Sequence, residues 1–217
     1  MAQAYIRKET YMTRNEFIET IAPIIKNEAN KRGFKICSTI IAQAILESGY
    51  GKSLLALKYH NYFGMKCGSH WKGKSVNLKT KEEYNGKVVN ITDNFRVYDN
   101  MESGVKGYFD FISTPRYEKL KKAKDYLEYA TFIKECGYAT SSSYVTSLTN
   151  LVNLYNLTVC DRKDGMKSNY VVAAEVIDGL WGNGEDRKNN LTKAGYNYKA
   201  IQAIVNEKLK KDNSLVV

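Results

Sequence analysis

The chain has 217 residues, a formal net charge of +10, and a composition that is 43 % hydrophobic and 12 % aromatic. A chain of this length forms one or two domains, and its apolar content excludes an intrinsically disordered protein. The four cysteines and two histidines do not have the spacing of zinc ligands, so we expect no metal and no cofactor.

The N-terminal residues 1–20 contain no long apolar run, which predicts neither a signal peptide nor a membrane-spanning helix. We therefore expect synthesis in a cytoplasm, no membrane insertion and, for a wall substrate, action after release. Seventeen tyrosines and the positive charge suit anionic polymers such as bacterial wall or nucleic acid. A solvated lysine surface explains the same charge.

A first helix is predicted over residues 13–31. Thr13 and Glu16 have the spacing of a capping box at its start. Apolar residues recur on one face, and Pro23 is expected to bend or restart the helix.

A second helix is predicted over residues 38–47, ending before Gly49. Ile40, Ala44 and Glu47 share one face, so the carboxyl lies on the apolar stripe in the last turn. Desolvation and the negative end of the helix dipole are both expected to raise the pKa of Glu47. A carboxyl that keeps its proton near neutral pH can act as a general acid in glycosidic cleavage. The alternative is a glutamate that turns away to solvent.

Residues 76–98 predict a β-hairpin, with Asn-Gly at 85–86 as the two-residue turn. This register pairs Glu82 with Val89 and places Glu82 on the apolar face, whereas Glu83 points with the lysines. An inward carboxylate on a hairpin is a candidate second acid or base. The alternative is a frayed hairpin tip with a solvated Glu82.

The second half of the chain predicts further helices over 101–155, with turns at 113–115 and 139–143. A polar stretch at 161–169 is interpreted as a linker, and 170–209 predicts three short helices. The predicted domain organisation has three parts: residues 1–160, 161–169 and 170–217.

Several short blocks follow one another in the first 150 residues: A-Q-A-I-L-E-S-G-Y-G at 42–51, N-Y-F-G-M-K at 61–66, T-K-E at 80–82, F-R-V-Y at 95–98, E-S at 102–103 and G-Y-A-T at 137–140. In this order they resemble the motifs of family 73 glycoside hydrolases, the bacterial and phage endo-β-N-acetylglucosaminidases. The resemblance implies an α+β, mainly helical, lysozyme-like fold with a β-hairpin lobe.

The same resemblance implies roles for individual residues. Glu47 would be the general acid, Glu82 a mobile second carboxylate, and Tyr138 a support for the reaction centre or the acetamido group. The family often has an aromatic residue directly after the hairpin glutamate, whereas Glu83 and then Tyr84 follow here. Both Glu82 and Glu83 are therefore candidates, and the register favours Glu82.

Asn61 and Phe63 would line the substrate groove, and Tyr144 is predicted to bind substrate with them. The second carboxylate would either activate water directly or assist attack by the substrate's own N-acetyl group. The separation of the two carboxylates bears on this choice, and the sequence does not give it.

Residues 176–188, 191–198 and 205–206 resemble the wall-binding repeat at the end of a pneumococcal-phage lysozyme. That repeat is a three-helix bundle that recognises the muropeptide backbone. The Trp181 ring could stack on a sugar, and the Arg187 guanidinium could donate hydrogen bonds to carboxylates or sugar hydroxyls. The alternative places Trp181 in the centre of the small bundle.

These residues predict a peptidoglycan hydrolase of the endolysin type that cleaves the β-1,4 bond after N-acetylglucosamine. Peptidoglycan glycan strands are the expected substrate and wall ligand, and no nucleic acid partner is expected. A lytic transglycosylase or a muramidase on a related fold is the first alternative, although the turn at 61–66 favours a glucosaminidase. A non-enzymatic wall-binding protein is the second alternative.

Overall fold

The computed structural model describes residues 12–69, 71–84, 87–161, 167 and 169–214. Its helices and strands confirm the predicted mainly helical α+β class. The α-helices are α1 (Arg14–Arg32), α2 (Ser38–Ser48), α3 (Leu54–Tyr59), α4 (Met101–Ile112), α5 (Tyr126–Glu135), α6 (Tyr144–Leu154), α7 (Asn169–Ile177), α8 (Gly184–Lys193) and α9 (Tyr198–Ser214). The strands are β1 (Ser75–Tyr84) and β2 (Lys87–Arg96), and 3-10 helices span Pro115–Lys122 and Leu157–Asp161.

Helix α1 begins at the predicted capping box. The Thr13 hydroxyl accepts from the Glu16 main-chain N–H, and the Glu16 carboxylate accepts from the Thr13 N–H. The helix does not restart at Pro23, because one helix continues through it, and the alternative of a bend there stays a prediction. Pro23 lies on the exposed side, while its neighbours Ala22 and Ile25 are buried against the core. Tertiary packing therefore holds the helix across the missing N–H.

Helix α2 is the central element of the larger core. Every residue from Ser38 to Ile45 is buried, and the helix packs against α1, α5 and α6. Gly49 ends it in the left-handed conformation with φ of 56°, as predicted. A helix buried on all sides has no solvent to satisfy its free N-terminal N–H groups, so these need protein partners.

Asp161 supplies those partners. Its Oδ1 accepts from the Cys37 and Ser38 main-chain N–H groups at 2.6 and 2.8 Å, and its Oδ2 accepts from the Ser38 hydroxyl at 2.5 Å. Asp161 was assigned by its sequence to the linker, but it belongs to the last 3-10 helix and caps α2. At the other end of the predicted linker, Asn169 is buried and begins α7.

The hairpin has the predicted register. Glu82 pairs with Val89, Thr80 with Ile91 and Val76 with Phe95. The alternation is also as predicted, because Thr80 is half-buried whereas the preceding lysine is exposed. The predicted turn residues at 85–86 lie outside the described residues.

Two hydrophobic clusters occupy the described chain. The larger one extends from Phe17 to Leu157, and the smaller one joins α7, α8 and α9 through the following residues: Val172, Ala173, Val176, Leu191, Ile201 and Val205. Ile204 contacts both clusters, and Lys208 on α9 forms an ion pair with Glu19 on α1 at 3.2 Å. The three helices predicted after the linker are confirmed as α7, α8 and α9.

All four cysteines are free thiols. Burial raises the pKa of Cys37 to about 12 and that of Cys160 to about 11, so both stay protonated at neutral pH. Within the described ranges, the helices are too short or too polar to cross a membrane.

Candidate active site

A groove of about 1190 Å³ lies between the end of α2, the hairpin and the loop that joins α5 to α6. Its walls include each of the elements that carry the family 73 blocks. The predicted site residues on its wall are Glu47, Phe63, Tyr138 and Tyr144. The tertiary fold therefore brings together residues that lie almost 100 positions apart in the sequence.

Glu47 lies in the last turn of α2 and is half-buried, as its position on the apolar face predicts. Its Oε1 accepts a hydrogen bond from the Tyr144 hydroxyl at 2.9 Å. The chain turns at Gly64 with φ of +64°, and a Cβ placed there would lie 3.7 Å from Glu47 Oε2. A glycine thus lets the opposite wall of the groove approach the carboxyl.

Tyr144 is 5 % exposed, so its predicted contact with substrate is limited to the edge that reaches the groove. Burial, and secondly the charge of Glu47, hold the pKa of Tyr144 well above its ordinary value. The phenol is therefore a protonated donor across the working pH range. In this arrangement Tyr144 supports the carboxyl of Glu47 directly.

Tyr138 lines the groove beside Tyr144, with the two rings roughly parallel and their centroids 6.2 Å apart. Its hydroxyl donates to the Phe63 carbonyl at 2.7 Å. Burial and the nearby charge of Glu47 also hold the pKa of Tyr138 well above its ordinary value. Tyr138 is thus a neutral phenol that joins the α5–α6 loop to the turn opposite Glu47.

Phe63 lines the groove, but Asn61 does not belong to its wall. Asn61 is 1 % exposed, and its amide donates to the Met65 and Arg96 carbonyls, each at 2.9 Å, and accepts from the Met65 N–H at 2.8 Å. The expected groove contact of Asn61 is therefore corrected. Its amide holds the turn after α3 against strand β2, because a buried amide requires partners for both ends.

The hairpin forms one side of the groove through Leu78, Lys79 and Thr80. The backbone of Glu82 lies two residues further along the same strand. The side chains of Glu82 and Glu83 lie outside the described residues, so the choice between them stays a prediction.

Positive charge surrounds the groove. Its described lining contains four cationic side chains and one carboxylate, Glu47, and the four cations are Lys66, Lys79, Arg96 and Arg116. The Arg96 guanidinium lies over the Trp71 ring at 4.7 Å and donates to the Lys66 carbonyl through Nε at 2.9 Å. Stacking and this hydrogen bond fix the guanidinium in place.

In the C-terminal helices, Trp181 is half-buried and packs edge-on against Tyr196, with centroids 5.6 Å apart. Its indole N–H donates to Glu175 at 3.0 Å. Arg187 donates to the Gly182 carbonyl at 3.1 Å and to two further side chains, so its fork is used within the module. The predicted contact of Arg187 with the wall stays a prediction.

Residues 22–157 match the family model described as mannosyl-glycoprotein endo-beta-N-acetylglucosaminidase. The chain belongs to this glucosaminidase family. Residues 171–209 match the model of the CW_7 repeat, which covers α7, α8 and most of α9. The resemblances inferred from the sequence blocks are therefore confirmed.

The chain is similar to several wall-acting proteins. It is 38 % identical over 161 residues to a probable N-acetylmuramidase of Lactococcus lactis, covering 70 % of this chain and 35 % of that protein. It is 32 % identical over 169 residues to the exo-glucosaminidase LytG of Bacillus subtilis, covering 72 % of this chain and 59 % of LytG. This chain therefore spans less than two thirds of either relative.

A mutant peptidoglycan hydrolase from Sphingomonas sp. A1 has a similar structure, with a TM-score of 0.61 and 32 % sequence identity. The match covers 68 % of this chain and 97 % of that protein. The fold predicted for the first part of the chain is thus the fold of a known peptidoglycan hydrolase.

Sequence reasoning missed two groups, one hydrogen-bonded towards Glu47 from the core and one on the wall of the same groove. One is the buried pair Gln43 and Tyr108, which are hydrogen-bonded to each other at 2.6 Å. A polar Gln43 four residues before Glu47, in an otherwise apolar run, was the available signal. The other is Arg116, whose approach to the groove depends on the tertiary fold.

Proposed function

We propose that this chain is a peptidoglycan hydrolase that cleaves the β-1,4 bond after N-acetylglucosamine in glycan strands. One observation carries the proposal: Glu47 presents a half-buried carboxyl, held by Tyr144, to an open groove large enough for a polysaccharide segment. A carboxyl placed in this way can donate a proton to a glycosidic oxygen, which is the role of a general acid.

In the proposed reaction, Glu47 donates its proton to the glycosidic oxygen as the bond to the anomeric carbon breaks. The neutral phenols of Tyr138 and Tyr144 lie beside this point and carry no competing negative charge. Tyr138 would keep the turn at Phe63 close to the reacting sugar through its hydrogen bond to the Phe63 carbonyl. Positioning of this kind reduces the entropy that the reacting groups lose at the transition state.

Glu82 is the proposed second carboxylate, because it follows the groove-lining residue Thr80 by two positions on β1. It would either activate a water molecule directly or support attack by the substrate's acetamido oxygen. The stereochemistry of the new reducing end distinguishes these routes. Direct attack by water inverts the anomeric centre, whereas acetamido participation retains it.

The bond that is cut can be determined from the products of wall digestion. Digested peptidoglycan is reduced with borohydride and its fragments are analysed by mass spectrometry. Reduced N-acetylglucosamine at the fragment ends supports the proposal. Reduced muramic acid would instead support a muramidase, the activity for which the Lactococcus lactis relative is named, and anhydromuramic acid would support a lytic transglycosylase.

The charge of the groove supports a substrate that bears carboxylates. Peptide stems on muramic acid carry such groups, whereas a plain N-acetylglucosamine oligomer is neutral. We therefore propose that the cations beside Glu47, including Arg96 and Arg116, favour peptide-bearing strands over neutral ones.

We propose that residues 1–161 form the catalytic domain and that α7–α9 bind the wall. The second part of this proposal is supported by the match to the CW_7 repeat and by Leu180, which is 72 % exposed next to the half-buried Trp181. One weak binding site linked to the enzyme raises the local concentration of substrate. An endolysin role is the biological setting we infer from this pairing, and a holin gene beside the coding sequence is its test.

A further inference from the structure

Glu47 is connected to the protein core by hydrogen bonds that run through Gln43. Gln43 lies one helical turn before Glu47 on α2 and is fully buried. The Tyr108 hydroxyl donates to Gln43 Oε1 at 2.6 Å, and Gln43 Nε2 donates to the Tyr144 hydroxyl oxygen at 3.1 Å. Tyr144 in turn donates to Glu47 Oε1 at 2.9 Å. We call these four side chains the Gln43 relay.

The chemistry of an amide gives the Gln43 relay a direction. An amide oxygen only accepts hydrogen bonds and an amide NH₂ only donates them. Because the Tyr108 hydrogen occupies the Gln43 oxygen, the NH₂ group is the end that faces Tyr144. A phenol has a single hydrogen, so the hydrogen of Tyr144 points to Glu47. The carboxylate form of Glu47 sets this direction, because a carboxylate can only accept the Tyr144 hydrogen and Gln43 must then donate to Tyr144.

We propose that Gln43 is a positioning residue that, through Tyr144, keeps the transferable proton of Glu47 on Oε2. A proton on Oε1 would face the hydrogen of Tyr144, and Gln43 opposes rotation of that phenol. Oε2 is the oxygen near Gly64 on the groove wall, 3.7 Å from where a Cβ of that residue would lie. This inference rests on the proposed role of Glu47 as the acid.

The orientation that the Gln43 relay gives to Tyr144 suits both the neutral and the ionised form of Glu47. During cleavage the proton leaves Oε2 and bonds to the glycosidic oxygen, while the bond between that oxygen and the anomeric carbon breaks. The bonding electron pair stays on the departing oxygen, and Glu47 becomes a carboxylate. The Tyr144 hydrogen on Oε1 then stabilises the new charge without any reorientation.

Two variants test the Gln43 relay. Gln43→Met keeps the side-chain length but removes both hydrogen bonds. Tyr108→Phe removes the hydrogen that fixes the amide, together with the contact between the Tyr108 and Tyr129 hydroxyls. Without the amide, Tyr144 can turn and accept a proton held on Oε1 of the neutral carboxyl. We expect Gln43→Met to lower kcat about tenfold with a nearly unchanged KM, the cost of one oriented hydrogen bond.

The dependence of kcat on pH distinguishes a positioning role of Gln43 from a purely structural one, because a structural role would leave this dependence unchanged. Stabilisation of the neutral carboxyl moves the alkaline limb of kcat to higher pH in Gln43→Met, and Tyr108→Phe shifts it in the same direction by less. The matched control is Thr39→Val, one turn earlier on α2. Thr39 is also fully buried, and its hydroxyl donates to the Tyr126 carbonyl at 2.9 Å. This variant should lower the melting temperature and leave the profile unchanged.

The inference would be overturned if both relay variants kept the kcat of the parent protein and the same alkaline limb of the pH profile. It would also be overturned if Thr39→Val lost as much kcat as Gln43→Met. If Gln43→Met does not fold, the profile of Tyr108→Phe decides. Glu47→Gln is measured in the same series. Full activity of Glu47→Gln overturns the proposed function itself, whereas an inactive Glu47→Gln with parental relay variants overturns only the relay.

Discussion

The two regions of this protein build their interiors in different ways. The core of the catalytic region contains fully buried polar side chains on α2, the helix that carries Glu47 in its last turn: Ser38, Thr39, Gln43 and Ser48. The six buried residues that form the core of the C-terminal helices are all aliphatic. In that region, the hydrogen bond between Trp181 and Glu175 is partly buried and lies outside this aliphatic set.

We relate this difference in core polarity to the proposed roles of the two regions. A carboxyl that transfers a proton needs a fixed environment, and buried hydrogen bonds fix side chains more strongly than apolar packing does. A small binding module needs only a stable platform for exposed groups, and aliphatic packing supplies most of it, with the buried Asn169 at the start of α7 as a polar exception. Variants that remove single groups in each region can test this contrast.

Loss of the carboxyl should have the largest effect. We expect Glu47→Gln to lower kcat on soluble glycan fragments by about a thousandfold or more, because it removes the general acid. Wall binding should be unchanged, since it is assigned to the other region. Reducing-end assays and pelleting with insoluble walls measure these two properties. Glu118→Gln, an exposed glutamate on the first 3-10 helix, is the control and should be fully active.

Removal of the half-buried Asp161 cap should have the next largest effect. Asp161→Ala leaves the N-terminus of α2 without three hydrogen bonds, which should lower the free energy of unfolding by about 2 to 3 kcal/mol. Chemical denaturation measures this change. Asp125→Ala is the matched control, because Asp125 caps α5 at an exposed site through one hydrogen bond, and it should cost only about 1 kcal/mol. Equal losses would contradict the importance of burial.

The Asp161 cap should also make the stability of the protein depend on pH. Burial raises the pKa of Asp161 in the folded protein above its ordinary value, in spite of the hydrogen bonds that lower it. The folded state therefore binds this proton more tightly than the unfolded state does. Relative to Asp161→Asn, the parent protein should lose stability as the pH rises from the ordinary aspartate pKa through the raised folded value.

Separation of the two regions should have a moderate effect on wall digestion. A chain truncated after Lys167 keeps Asp161 and the whole groove but loses α7–α9. We expect unchanged hydrolysis of soluble fragments and an about tenfold slower clearing of intact walls, because the tether is lost. Turbidity of a wall suspension and assays on soluble fragments measure the two rates. Equal clearing by both chains would remove the targeting role of α7–α9.

The smallest effect concerns the charge of the groove. Arg116→Gln should raise KM for peptide-bearing glycan by about threefold at low salt, and this difference should shrink as salt screens the charge. KM for neutral N-acetylglucosamine oligomers should not change. Lys72→Gln is the control, because Lys72 is exposed and lies outside the groove lining. A similar rise in KM for both substrates would indicate a positional rather than an electrostatic role.

The sequence by itself determined those features that depend on neighbours along the chain. The capping box of α1, the end of α2 at Gly49, the position of Glu47 in the last turn and the hairpin register all agree with the structure. Each follows from helical or strand periodicity and from the local conformational preferences of a few residues. The order of the short motifs predicted the family, and the family in turn implied the class of fold.

Only the tertiary structure decided which side chains surround Glu47 and which distant residue caps the N-terminus of its helix. Local composition placed Asp161 in a linker and the family resemblance placed Asn61 in a groove, whereas long-range packing uses the first to cap α2 and the second to hold a turn. Tyr108 and Tyr144 reach Gln43 and Glu47 across separations of 65 and 97 residues. Periodicity gives the face on which a residue lies, but only the packing of distant elements determines what that face meets.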